Sequence, residues 1–110
     1  MSPVTDLDVE DAKMVALARA ARARTGAAEG AAVRDSDGRT YVGTTVALPS
    51  LGLSALQAAV AAAVSSGATG LEAAALVTEA AVVDQAGRDA VGDLGPGAPV
   101  LVADLAGTLR

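Results

Sequence analysis

The sequence predicts a mixed α/β domain of three layers, on three observations. Apolar residues recur at helical spacing near the start, two β-rich runs flank Asp37-Gly38, and the alanine-rich stretch at 53–64 lacks a polar face and therefore belongs inside. At 110 residues the chain is long enough for one domain, spanning 1–110, with about residues 1–7 as an N-terminal tail.

Thr5, Asp6 and Asp8 offer N-caps, Glu10 and Asp11 fall in an early turn, and Met14, Leu17, Ala18 and Ala21 follow at helical spacing. This predicts a helix over about 8–24. Lys13, Arg19, Arg22 and Arg24 come after the acids, so the charge order complements the helix dipole, and the arginines read as a solvated face and C-terminal cap. Gly30-Ala-Ala-Val-Arg34 and Arg39-Thr-Tyr-Val-Gly-Thr-Thr-Val46 are joined by a turn whose Asp37-Gly38 readily supplies positive φ, a hairpin signal. Leu48-Pro49-Ser50-Leu51-Gly52 is expected to break the second strand.

Leu53, Leu56, Val60 and Val64 mark the second helix, closed by Ser65-Ser66-Gly67. It is expected at the centre, buried on all sides, with sheet on one side and another subunit able to cover the other. Residues 71–83 are ambiguous: alanine and glutamate favour helix, while Leu76-Val77-Thr78 and Val82-Val83 lean toward strand. A short helix over about 84–94, a turn at Gly95-Pro96-Gly97 and a buried strand at Pro99–Asp104 complete the order.

Composition narrows the chemistry. The chain has no His, Cys, Trp or Phe, and Tyr41 is its one aromatic residue, so no imidazole base, thiolate nucleophile, cysteine zinc site or disulfide can be built from it. Eight basic against 13 acidic residues give a formal charge of −5, the wrong sign for binding nucleic acid by counterion release. The acidic N-terminus lacks the basic and apolar regions of a signal peptide, and the apolar run at 53–64 is too short to span a bilayer, so a cytoplasmic protein with no membrane partner is expected. The 28 alanines leave little apolar area per residue to bury. Burial of further alanine-rich faces against another subunit would offset that, and helix 53–64 is the face expected to form a homo-oligomer or to meet a protein partner. A G+C-rich coding bias accounts for the alanine content equally well.

Gly30-Ala-Ala-Val, Asp37-Gly38-Arg39-Thr-Tyr41, Gly43, Ser50, Gly52-Leu53 and Ala63-Val64-Ser65-x-Gly67 together resemble the first half of the small zinc-dependent cytidine deaminases. Arg88 and Pro99-Val-Leu-Val-Ala-Asp-Leu-Ala-Gly107 resemble the second half, so the likeness covers about 12–107. It implies a three-layer α/β/α cytidine deaminase-like domain with a mixed sheet, ending before the final strand and helix of many members. It also requires a strand across 71–78. An unrelated alanine-rich α/β domain is the competing reading.

In that family a zinc ion on three protein ligands turns water into hydroxide, and a Glu shuttles protons. Aligned on Ala63-Val64-Ser65-x-Gly67, the resemblance puts Ser54 at the first zinc ligand and Leu56 at the catalytic Glu. It puts Asp84 and Gly87 at the remaining two ligands. Thr45 stands at the nucleoside-binding Asn, Ala47 at the ribose-binding Glu, and Leu51 at an aromatic position. One carboxylate does not hold a catalytic zinc and Leu carries no proton. The resemblance therefore implies a vestigial pocket made of Thr45, Ala47, Ser54, Leu56, Asp84 and Gly87, with no cofactor.

Three classes of function follow. The first is a non-catalytic module acting through oligomerisation or a protein partner. The second is a binder of a nucleoside-like ligand in the emptied pocket near Ser54, Thr45, Asp84 and Glu79. The third is an enzyme, a hydrolase of the cytidine deaminase type or one of another kind, for which Glu79 and Asp84 are a conceivable carboxylate pair that nothing in the spacing makes converge, while Ser50 and Ser54 have no His or usable Lys to activate them. Gly92-Asp-Leu-Gly95-Pro-Gly97 lacks the Lys-Ser or Lys-Thr of a phosphate loop and reads as an ordinary turn.

Overall fold

The computed structural model describes residues 8–110, so the tail at 1–7 and the caps offered by Thr5 and Asp6 lie outside the described residues. Among the described residues three helices and six strands run in the order α1 (Val9–Thr25), β1 (Gly30–Asp35), β2 (Thr40–Thr44), β3 (Val46–Leu48), β4 (Leu51–Leu53), α2 (Ala55–Ser65), β5 (Leu71–Val77), α3 (Gln85–Leu94) and β6 (Val100–Ala103). The main sheet has the order β2-β1-β5-β6; β1 is antiparallel to both neighbours and β5 runs parallel to β6, so the sheet is mixed as expected. Helix α1 covers one face, and α2 with α3 covers the other.

Local chemistry sets the ends of α1. The Asp8 carboxylate accepts the Asp11 N–H at 2.9 Å, and Gly26 at φ 68° ends the helix in the left-handed conformation, with its N–H donated to the Arg22 carbonyl. Met14, Val15, Ala18 and Ala21 form the buried stripe; Leu17 is partly exposed. Gly30 opens β1 hard against α1, where a side chain would run into the Ala18 carbonyl and Arg22.

The ambiguous 71–83 segment resolves as strand β5 followed by a loop. Its position decides this: Ala73, Ala75 and Val77 pack toward α1 while Ala74 and Leu76 pack toward α2. A central strand covered on both faces reads as an unbroken apolar run, which periodicity cannot tell from helix, and tertiary burial overrides the helix propensity of its alanines. Arg34 pairs with Ala73 and Asp35 with Leu71, leaving Glu72 as the extra residue of a bulge. Glu72 Oε2 accepts from Arg34 Nε at 3.1 Å, and Asp11 Oδ1 accepts from Arg34 Nη1 at 3.0 Å, so one guanidinium ties α1, β1 and β5 together.

Four expectations change. The stretch at 48–52 does not simply break a strand but turns a second, small hairpin in which Val46 pairs with Leu53 and Leu48 with Leu51. The alanine-rich helix starts at Ala55 rather than Leu53, because Leu53 ends β4 and Ser54 is the cap. Nor is α2 buried all round: β2 and α3 cover it, but Ala61 and Val64 face solvent within this chain. Finally β6 is an edge strand, fully buried only at Ala103, since one neighbour suffices for an edge; residues after it fold back, and the Arg110 N–H reaches the Val102 carbonyl at 2.9 Å.

The hairpin turn is stapled by Asp35, which is buried. Its carboxylate accepts the backbone N–H groups of Asp37 and Arg39 and the hydroxyl of Tyr41, each at 2.9 Å. Desolvation pushes this carboxyl up, but the donors and the Arg39 charge outweigh it and hold the group below the usual carboxylate range. Tyr41 is raised in turn, first by its bond to Asp35 and then by burial.

Candidate functional site

The carboxyl ends of the parallel strands β5 and β6 share one edge of the sheet, and the helices that follow β4 and β5 begin there. At this kind of edge open α/β sheets bind ligands. Ser54 opens α2 with a reciprocal capping box: its Oγ accepts the Gln57 N–H at 3.2 Å, and Gln57 Oε1 accepts the Ser54 N–H at 2.9 Å. Asp84 opens α3, accepting the Gly87 N–H on Oδ2 at 2.6 Å. Each side chain is thus spent on the first turn of its own helix.

Leu56, Asp84 and Gly87 meet. A Cβ placed on Gly87 would lie 2.7 Å from Asp84 Oδ2, 2.8 Å from Leu56 Cβ and 3.0 Å from Asp84 Oδ1. Leu56 is wholly buried in the apolar cluster with Ala31, Val33, Leu76, Val83 and Val91. Among the described residues Asp84 Oδ1 is buried there without a hydrogen-bond partner, which costs stability.

Thr45 and Ala47 sit elsewhere on the rim. Because Val46 pairs with Leu53, Thr45 and Ser54 flank the base of the β3–β4 hairpin. Thr45 is bonded twice to Glu29: its Oγ1 accepts the Glu29 N–H at 3.1 Å and its own N–H reaches the Glu29 carbonyl at 3.2 Å. Ala47 lies exposed on the hairpin, paired with Gly52, and Glu79 is exposed in the loop after β5.

One cluster escaped the sequence reading. Thr78 is buried, donates its hydroxyl to Glu29 Oε2 at 2.5 Å and accepts the Ala80 N–H at 2.9 Å. With Thr45 on the same glutamate, this ties the ends of β1, β2 and β5. Its partners are 49 residues apart in sequence and follow no short motif, so no local signal could have found them. Arg110 adds a further tie, donating from Nη2 to the Ala81 carbonyl at 3.0 Å.

The residues do not fit a zinc ion. Ser54 Oγ already caps a helix, Leu56 and Gly87 bring no donor, and Asp84 alone remains. Among the described residues no three His, Cys, Asp or Glu side chains converge as metal ligands, and no cavity opens at the surface. No described helix is long and apolar enough to cross a membrane.

Comparison with known proteins places this architecture. The fold matches the 1.6 Å crystal structure of cytidine deaminase from Burkholderia pseudomallei with a TM-score of 0.77 at 26% identity, over 89% of this chain and 87% of that one. It matches cytidine deaminase from Mycobacterium tuberculosis with a TM-score of 0.71 at 27% identity, over 96% and 90%. The Mycobacterium leprae enzyme, at 20% identity and a TM-score of 0.69, shares the fold over 96% of this chain and 93% of its own. No curated protein matches in sequence. The family model described as cytidine deaminase-like spans residues 7–107, and with a mixed β2-β1-β5-β6 sheet layered between helices the chain belongs to the cytidine deaminase-like family.

Proposed function

We propose that this chain is a non-catalytic cytidine deaminase-like protein that works as a cytoplasmic homo-oligomer or protein-interaction module and needs no cofactor. The observation that carries this reading is the closed meeting of Leu56, Asp84 and Gly87, with Ser54 and Asp84 both committed to capping their own helices. Hydroxide cannot be generated without a metal ligand set, and nothing at Leu56 can move a proton. The nucleoside-binding reading gains no support, because the rim positions Thr45 and Ala47 are respectively bonded to Glu29 and paired in a hairpin.

Charge distribution supports the interaction role. No Asp, Glu, Lys or Arg stands between Arg39 and Glu72, in a chain of net charge −5. That stretch includes the exposed apolar residues Leu48, Leu51 and Val64, at 61, 48 and 53% exposure, as well as Ala61. Two acidic copies meeting through these uncharged residues bring no like charges into direct contact. The test is metal analysis of protein purified without chelator, alongside a cytidine deamination assay with added zinc. The reading expects sub-stoichiometric zinc and no turnover; one zinc per chain with deamination would overturn it.

A further inference from the structure

We infer that the joint between α2 and α3 is shut by backbone packing, not only by the loss of metal ligands: Gly87 is a contact surface, and no side chain, a thiol included, can be carried there while the joint holds. The inference rests on the reading of Ser54, Leu56, Asp84 and Gly87 proposed above and adds a physical reason why restored ligands would not restore a site.

Two of the three atoms that a Cβ at Gly87 would strike belong to the Asp84 carboxylate, and the third is Leu56 Cβ. The carboxylate cannot swing away freely, because Oδ2 holds the Gly87 N–H itself at 2.6 Å. A Cβ is fixed by its backbone, so the 2.8 Å separation from Leu56 Cβ can be relieved only by moving α3 off α2. Helix α2 is also seated closely on the sheet: Gly43 of β2 lies so near that a side chain there would run into the backbone of Ala58 and Ala59. Helix α2 is thus met closely at two glycines, one on the sheet and one on α3, so a shift of either neighbour is felt along it. The first turns of α2 and α3, which the family likeness would tie through a shared metal, meet here through the apolar Leu56 against Gly87, while each helix is closed by its own cap.

Gly92, in the same helix, provides an internal control, since a Cβ there meets nothing within 4 Å. Glycine to alanine in an unobstructed helix position stabilises through helix propensity and the unfolded chain. Gly92→Ala is thus expected to raise the thermal midpoint by a few degrees. Gly87→Ala makes the same chemical change one turn into the joint and is expected to lower it by roughly 5–10 °C. The triple variant Ser54→Cys, Asp84→Cys, Gly87→Cys is expected to take up no cobalt(II) with tetrahedral thiolate absorption and to gain no stability from zinc.

If the triple variant fails to fold while Ser54→Cys, Asp84→Cys folds, the intolerance lies at residue 87, as inferred; if both fail, the Gly87→Ala midpoint decides. A Gly87→Ala midpoint equal to or above wild type overturns the inference, as does a triple variant that binds one equivalent of cobalt and melts higher with zinc. These readouts are independent of the native chain's zinc content and mass in solution, so the joint can fail while the proposed function stands.

Discussion

On one face of the sheet, α1 sends Glu10, Lys13, Arg19 and Arg24 into water, caps itself with Asp8 and Gly26, and anchors through Asp11 to the Arg34 guanidinium. On the other face, α2 has no charged residue, and its outward line carries Ala61 and Val64. Both faces bury a comparable apolar stripe against the same sheet, so packing within the chain does not require the difference. What differs is the side turned away from the core: one is finished against solvent, the other is finished as an interior would be. The helix nearest the proposed vestigial site is thus the one whose outer surface carries no charge.

The largest effect should come from breaking the α2 face inside. Leu56→Glu puts a carboxylate at a position with no solvent exposure in an apolar cluster, and should cost about 3–5 kcal/mol, read as a large fall in the urea midpoint. Retention of wild-type stability would mean that the joint opens to water. Next is the α1 face: Arg34→Ala leaves Asp11 and Glu72 facing each other without their shared guanidinium and removes the tie among three elements. Arg34 is nine-tenths buried in its side chain while Glu72 is half exposed, so the expected loss is about 1–3 kcal/mol, weakly sensitive to salt. The surface pair Lys13–Glu10 at 3.8 Å, by contrast, should contribute almost nothing.

The Asp35–Tyr41 staple predicts a pH window. Asp35 is depressed in the folded chain, so its stabilisation is complete above the ordinary carboxylate value near 3.8 and is lost as pH falls through the lower folded value. Tyr41 is raised, so its contribution is complete below the ordinary phenol value of 10.0 and is lost as pH rises through the higher folded value. With one tyrosine in the chain, ultraviolet titration reads that group alone: its ionisation should fall above the value found in urea, and Asp35→Asn should narrow the gap, leaving the part due to burial. Val64→Glu is expected to change folding by no more than about 0.5 kcal/mol at dilution because the site is half exposed, yet it should halve or quarter the mass in solution.

Much of this comparison was legible in the sequence. Spacing and caps gave α1, the Asp37-Gly38 turn gave the first hairpin, and the order of short motifs gave the family, because these signals are local or sequential. The identity of β5 was not readable from its residues, since alanine favours helix and only burial on both faces makes it a strand. The β3–β4 hairpin hid behind Pro49, which sits in its turn rather than ending the sheet. At the candidate site, Ser54 and Asp84 could be placed by alignment, but their work as caps, the closeness of Gly87 to Leu56 and the Glu29–Thr78 bond depend on how distant segments meet.

The difference between the two faces matters for function only if the uncharged one is covered. Light scattering on the native chain at tens of micromolar tests that directly. A mass of at least two 10.6 kDa chains is expected, collapsing toward one when Val64 is changed to Glu; a strict 10.6 kDa monomer for the native chain, with no protein partner bound at that face, would overturn the interaction role.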